Sequence, residues 1–284
     1  MAIRLIKTID EMRELIGQAK SKERIIGLVP TMGALHEGHL SLIKMAKEMC
    51  HLVVVSVFVN PTQFGPNEDL DKYPRDLHED CSKADSAGAT VVFAPEASEM
   101  YPNGFSSFVN VSGLTEKLCG LSRPGHFQGV ATVVSKLFHI VKPNYAYFGQ
   151  KDAQQALVIE KFVNDLNFDV KICVGYTVRD EDGLALSSRN QYLLDEERKA
   201  ALVIPRSLNL AEETVKNGER NISKLKEMVI NEIKKEKLVE IDYVEIYDCP
   251  SLEEVDEIGD IALLAVAVKI GTTRLIDNII LEAN

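Results

Sequence analysis

The sequence holds no apolar run near the roughly 20 residues that a membrane-spanning helix needs, and none of its segments is expected to span a bilayer. It has no basic run either, and its formal net charge is -11. That balance disfavours nucleic-acid binding through overall charge. Its five cysteines, Cys50, Cys81, Cys119, Cys173 and Cys249, are scattered and odd in number, with no C-x-x-C and no zinc spacing. They read as reduced thiols of a cytoplasmic protein. No G-x-x-x-x-G-K-[S/T] and no G-x-G-x-x-G occurs, which argues against a P-loop kinase and a dinucleotide oxidoreductase. Low-complexity segments and internal repeats are missing too. Near the start, Asp10, Glu11 and Glu14 arrive too early for a secretory signal, so none is expected.

What is present is 284 residues, 45% hydrophobic and 26% charged, the balance of a soluble globular protein of one large or two ordinary domains. The most informative stretch is Pro30-Thr31-Met32-Gly33-Ala34-Leu35-His36-Glu37-Gly38-His39. A short apolar run, residues 25–29, precedes it and reads as a buried parallel strand. Leu40 to Met49 follows, with apolar positions on one helical stripe. A strand, a turn with two glycines and a helix start is where an open parallel sheet usually binds ligands. Unbonded amide N–H groups and the helix dipole favour an anion there. His36 and His39 suit hydrogen bonds to phosphate oxygens. A purely structural turn capped by the histidines competes with this reading. A zinc pair competes less well, because no Cys, His or carboxylate partner sits at a recognisable spacing nearby.

Further along, Thr8 and Glu11 form a capping box that predicts a helix to about Lys20. Residues 52–59 are continuous and β-branched, as in a strand covered on both faces. They end in a loop whose Asn60 and Gln63 offer amide donors and acceptors. A helix runs from Tyr73–Asp76 to about Ala87, then a strand over 91–94. Asp76, Glu79 and Asp80 in that helix suit either water-bridged magnesium or the helix dipole. Phe105 to Val111 alternates weakly and predicts an outlying strand. Arg123-Pro-Gly-His-Phe leads into a helix over 131–141 and offers a polar wall. A strand over 144–148 runs into Gly149-Gln150-Lys151-Asp152 and a helix to about Leu166. Lys151 is a compact cation suited to phosphate, and Asp152 to a ribose hydroxyl or magnesium. After a strand over 169–174 comes Gly183 to Asn190, whose hydroxyls and guanidinium suit a polyphosphate. From Asp195 the composition changes. One helix over 196–215, another over 223–235, strands over 241–247 and 261–270, and a last run over 273–281 are expected. The predicted architecture is α/β: a Rossmann-like parallel sheet over residues 1–176 and a smaller α+β domain over 177–284.

Taken in order, the His36-to-His39 stretch, Asn60-Pro-Thr-Gln63-Phe, Arg123-Pro-Gly-His-Phe, Phe148-Gly-Gln-Lys-Asp-Ala-Gln-Gln155 and Leu186-Ser-Ser-Arg-Asn190 resemble the pantoate–β-alanine ligase family. The resemblance covers nearly the whole chain. Its first motif alone suggests only the wider H-x-G-H nucleotidyltransferase superfamily. It implies ATP-driven condensation of pantoate with β-alanine through pantoyl adenylate, with AMP and pyrophosphate released. It also implies ATP at Met32, Gly33, Ala34, Leu35, His36, Glu37, Gly38 and His39, with His39 the proton donor. Gly149, Gln150, Lys151 and Asp152 would hold adenosine, Val178 adenine, and Leu186, Ser187, Ser188 and Arg189 the phosphates. Gln63 and Gln155 would hold pantoate, with Asn60 and Arg123 beside the substrate. Asp80 falls where the family places a magnesium contact. The family has Met where this chain has Leu186, a swap that conserves volume. A homodimer with no nucleic-acid or membrane partner is implied, and the smaller domain would act as a lid. The competing functions are a nucleotidylyltransferase that keeps its adenylate and a non-catalytic nucleotide-binding protein.

Overall fold

The computed structural model describes residues 3–66 and 68–283; Met1, Ala2, Asn67 and Asn284 lie outside the described residues. The chain divides into two compact units. The first runs through Gln150 and resumes over Gln154–Tyr176. The second takes Lys151–Ala153 and the chain from Thr177 onward.

The first unit is built on β1 (Arg4–Ile6), α1 (Ile9–Lys20), β2 (Ile26–Thr31), α2 (Glu37–Met49), β3 (Leu52–Val57), α3 (Leu77–Ser86), β4 (Val91–Phe93), the short α4 (Ala97–Met100) and α5 (Cys119–Ser122), α6 (His126–Val141), β5 (Tyr145–Gly149), α7 (Ala153–Asp165) and β6 (Lys171–Gly175). Its sheet has the order β1-β4-β3-β2-β5-β6, and every neighbouring pair is parallel. The apolar runs explain the central strands. Val53, Val54 and Val55 are each 0% exposed, and each buried aliphatic side chain contributes roughly 1.5–3 kcal/mol. Leu35, Ile43, Ala46 and Tyr147 pack in one cluster with Val29, Val53 and Val55. The chain order reverses between β2 and β5, and the carboxyl ends of strands at such a point are where open parallel sheets bind ligands.

Several boundaries differ from the sequence reading. Helix α2 begins at Glu37, because His36 caps it. Helix α6 begins at His126, ahead of the apolar stretch. Residues 105–111 form no strand; Val109 N–H instead donates to Thr132 Oγ1 at 3.0 Å. The edge strand β1 pairs with β4 and is too short to show a pattern.

The second unit holds α8 (Asp195–Ala200), α9 (Val203–Lys216), α10 (Ile222–Ile233), β7 (Val239–Asp248), β8 (Ile261–Ile270) and β9 (Thr273–Glu282). The strands form an antiparallel sheet in sequence order. Leu208, Leu225, Val229 and Ile233 of the helices share a core with Leu264, Val266 and Val268 of β8. The single helix expected over 196–215 is broken at Ala201–Leu202. Pro205 lacks an N–H, and its ring would collide with the Ala201 carbonyl in a continuous helix. Proline is accommodated instead in the first turn of α9, where Ile204 N–H reaches Ala201 O at 3.0 Å.

Candidate active site

The loop after β2 is held from several sides. Thr31 Oγ1 donates to Ser56 O on β3 at 2.7 Å and accepts from Gly33 N–H at 3.1 Å. Gly33 has φ +87, and a Cβ there would lie 2.7 Å from Asp80 Oδ2 and 3.1 Å from Val57. Only glycine suits both the angle and the space. Ala34 follows, also at positive φ, and Leu35 is buried. Beneath them sits Asp80 of α3, 2% exposed. Its two carboxylate oxygens accept from Ala34 N–H at 3.1 Å and Leu35 N–H at 2.8 Å. Burial pushes the Asp80 carboxyl above its ordinary range, against the opposing pull of those amides and of Lys83. This placement makes Asp80 a brace beneath the loop. The sequence offers it as a magnesium contact, but its buried oxygens are already engaged and do not fit that ion. Among the described residues no group of three or more His, Cys, Asp or Glu gathers to hold a metal.

His36 and His39 form a reciprocal cap at the start of α2. His36 Nδ1 accepts from Gly38 N–H at 3.2 Å, and His39 Nδ1 accepts from His36 N–H at 3.3 Å. The ring centroids are 4.1 Å apart. With Nδ1 of each ring an acceptor, the ring proton sits on Nε2. Glu37 is exposed and pairs with Lys44 at 3.6 Å.

The loop after β3 lies beside the first. Asn60 is 1% exposed and Gln63 8%. Asn60 Oδ1 accepts from Thr62 Oγ1 at 3.0 Å and from the Tyr101 hydroxyl at 2.7 Å. Asn60 Nδ2 donates to Gln63 Oε1 at 3.2 Å and Gly129 O at 3.1 Å. The Asn60 amide thus organises its own loop, and it fixes which way the Gln63 amide points. Gln63 Nε2 is directed to Met32 Sδ at 2.8 Å, joining the two loops. Helix α6 comes this close because residue 129 is glycine: a Cβ there would lie 2.5 Å from Thr62 O. A glycine inside a helix pattern carries a cost near 1 kcal/mol relative to alanine, which is the available signal for this approach. Tyr101 gives no such signal.

Arg123, offered by the sequence as a substrate-facing wall, is turned to Glu68. Its Nε and Nη2 donate to the two carboxylate oxygens at 2.7 Å each. Burial by itself would raise the Glu68 carboxyl, but the Arg123 bonds and charge outweigh it and hold the group below its ordinary value. Arg123 Nη1 also meets His126 Nε2 at 3.0 Å, and His126 Nδ1 meets Gln63 O at 2.8 Å. The group ties Glu68 to the Gln63 carbonyl. At the end of β5, Gly149 pairs with Gly175 of β6, and Gln150 begins a single 3-10 turn to Asp152. Gln155 on α7 is half-buried, while its neighbour Gln154 is 6% exposed and ties down Leu114 O, Lys117 O and Cys119 N.

The second unit carries the remaining candidates. Lys151 Nζ lies 3.8 Å from Asp152 Oδ1. Val178 and Leu186 face each other across a small hairpin, with Leu186 N–H on Val178 O at 3.0 Å. Its turn is held by Arg198, whose Nη2 donates to Asp180 Oδ2 and Asp182 Oδ1 at 2.9 Å each. The Arg198 hydrogen bond lowers the Asp182 carboxyl. Ser187 then caps the 3-10 turn over Ser188–Tyr192, accepting from Arg189 N–H at 3.2 Å. Two hydroxyls, a guanidinium and turn amides are thus gathered within three residues.

A family model described as Pantoate-beta-alanine ligase matches residues 4–280. The chain belongs to the pantoate–β-alanine ligase family. It is a ligase whose fold matches that of solved members. It is 61% identical to the pantothenate synthetase of Pelotomaculum thermopropionicum over 96% of this chain and 97% of that one. The pantothenate synthetase of Thermus thermophilus superposes with a TM-score of 0.93 at 44% identity, covering 98% of this chain and 99% of that one. The pantoate-beta-alanine ligase of Francisella tularensis, solved with beta-gamma ATP and beta-alanine, has a TM-score of 0.81 at 36% identity, covering 98% and 97%.

Proposed function

We propose that this ligase condenses pantoate with β-alanine in two ATP-driven steps. The pantoate carboxylate attacks the α-phosphorus of ATP. The bond to the β-phosphate oxygen breaks, and pyrophosphate leaves. The amine of β-alanine then attacks the acyl carbon of pantoyl adenylate, loses a proton and expels AMP. The observation that carries this reading is the reciprocal His36–His39 cap, which sets both imidazoles at an anion-suited helix start.

Neither step calls for a covalent nucleophile. Both call for positioning, and the first calls for donors on the charge that develops as pyrophosphate departs. In this reading His36, His39, Lys151, Ser187, Ser188 and Arg189 supply those donors. Met32 to His39 and Gly149 to Asp152 bind ATP, with Val178 on adenine. Gln63 and Gln155 hold pantoate. The relative's complex with beta-gamma ATP and beta-alanine supports two of the three substrates. Magnesium would accompany ATP as its counter-ion and would supply neutralisation of phosphate charge. The acyl adenylate hydrolyses readily, so the route calls for exclusion of water, a role the reading gives to the second unit as a lid. It also places the protein in the cytoplasm as a homodimer, which sedimentation would check.

The test is product analysis with ATP, magnesium and pantoate, with and without β-alanine. Pyrophosphate on adding pantoate, and AMP plus pantothenate only once β-alanine is present, supports the two steps. Absence of pantoate-dependent pyrophosphate overturns them. His39→Ala is expected to slow adenylate formation by about 10²-fold or more.

A further inference from the structure

Strand β9 reads Leu275-Ile276-Asp277-Asn278-Ile279-Ile280, two polar residues inside an apolar run. Both are buried, Asp277 to 2% and Asn278 to 6% exposure. A buried carboxylate is costly unless paired, and a strand in this position needs none. Consecutive strand residues point to opposite faces, and the pair uses both.

Asp277 lies opposite Val266 of β8. Its carboxylate takes Arg179 in two bonds, Nη1 to Oδ2 at 2.6 Å and Nη2 to Oδ1 at 3.1 Å. Arg179 Nη1 also donates to Gly183 O at 3.1 Å. Arg179 itself pairs with Ala185 across the hairpin. Asp277 therefore holds the root of the segment that continues into Ser187–Arg189. Asn278 points the other way, and its Nδ2 donates to the carbonyl of Lys151 at 2.8 Å. Lys151 is far away in sequence, yet packs with this unit.

We infer that Asp277 and Asn278 are a positioning pair for the phosphate-side groups. Asn278 fixes the backbone at Lys151, and Asp277, through Arg179, fixes the hairpin that presents Ser187, Ser188 and Arg189. Two separate sets of donors are thereby referred to adjacent residues of one strand. The inference rests on the reading of those donors as ATP-phosphate groups.

The test measures ATP affinity by titration calorimetry on the full chain, with pantoate affinity and thermal unfolding alongside. Asn278→Ala is expected to weaken ATP about tenfold by removing one buried donor, with pantoate affinity unchanged within about twofold. Asn278→Ser keeps a small polar side chain and serves if the alanine variant fails to fold. In a Lys151→Ala background, Asn278→Ala should cost less than about twofold, because its effect runs through Lys151. Asp277→Asn should also weaken ATP about tenfold, and by the same factor with or without Lys151. ATP and pantoate weakened together, or an undiminished Asn278→Ala effect without Lys151, means a general structural role and overturns the inference. Wild-type ATP affinity in Lys151→Ala overturns the underlying reading of Lys151 as well. A weakened Lys151→Ala beside an unaffected Asn278→Ala overturns the positioning role alone.

Discussion

After β2 the chain turns at Gly33 and enters α2 with its loop amides held by a carboxylate buried to 2%. Before Ser187 the chain turns at Gly183; that hairpin is rooted on the buried Asp277 through Arg179, and its turn is held by Arg198 with Asp180 and Asp182, whose side chains are 26–40% exposed. The two segments share a local pattern: glycine at positive φ, then a capped helical turn that presents backbone amides. They differ in what enforces it. The first is set by the ends of buried parallel strands, where a displaced atom meets close packing. The second is set by charged pairs, and those of Arg198 at its turn are half-exposed, so that water weakens them and they reform after a displacement. A segment fixed by packing is stiff and intolerant of substitution. One fixed by half-exposed pairs yields by small steps.

The largest test of that contrast is Gly33→Ala. A methyl group at φ +87 would meet Asp80 and Val57, so a loss of about 2–3 kcal/mol in urea unfolding and a collapse of pyrophosphate exchange are expected. Near wild-type behaviour would remove the claim of tightness. Asp80→Asn comes next. It trades one acceptor for an NH₂ group facing an amide N–H, at about 1–3 kcal/mol. Relief of the buried charge keeps the loss toward the lower end. On the other side of the comparison, Arg198→Ala should cost only about 0.5–1 kcal/mol, consistent with half-exposed pairs, and should alter ATP affinity more than stability. A loss as large as that of Asp80→Asn would erase the distinction. The smallest effect concerns Glu68, a first-unit residue held in the manner of the second. Its carboxyl is lowered when folded, so its contribution is complete above the ordinary value of 4.5 and fades as pH falls through the folded value. Glu68→Gln should flatten that part of the stability–pH curve, by lowering stability modestly at neutral pH and leaving the acid end nearly unchanged.

The same contrast governs how much of the molecule is legible in its residues. The strands β2 and β3, and the placing of His36 and His39 at a helix start, follow from continuous apolar runs and a local stripe. Asp80 illustrates the opposite case. Its helix is legible, but its bonds to Ala34 and Leu35 cross some 45 positions of sequence, and acidic residues early in a helix usually serve the dipole. Asn60 and Arg123 stand out as polar loop residues, yet which neighbours engage them depends on Tyr101, Gly129 and Glu68, distant in sequence. Asp277 and Asn278 do carry a signal, a polar pair inside an apolar strand run, but nothing local says that their partners are Arg179 and Lys151. The break in the 196–215 helix is written in Pro205 alone, against the helical periodicity around it.

The assignment of Lys151–Ala153 to the second unit bears on how this chain tolerates being cut. A fragment ending at Tyr176 would keep every strand of the six-stranded sheet. It would also keep the Lys151 side chain, but without the Asn278 amide that holds that residue's carbonyl. Such a fragment is a candidate for independent folding and a poor one for independent nucleotide binding. Dissection, permutation or fusion at the apparent boundary would therefore separate stability from activity, and adding the missing strand in trans is the manipulation that would reunite them.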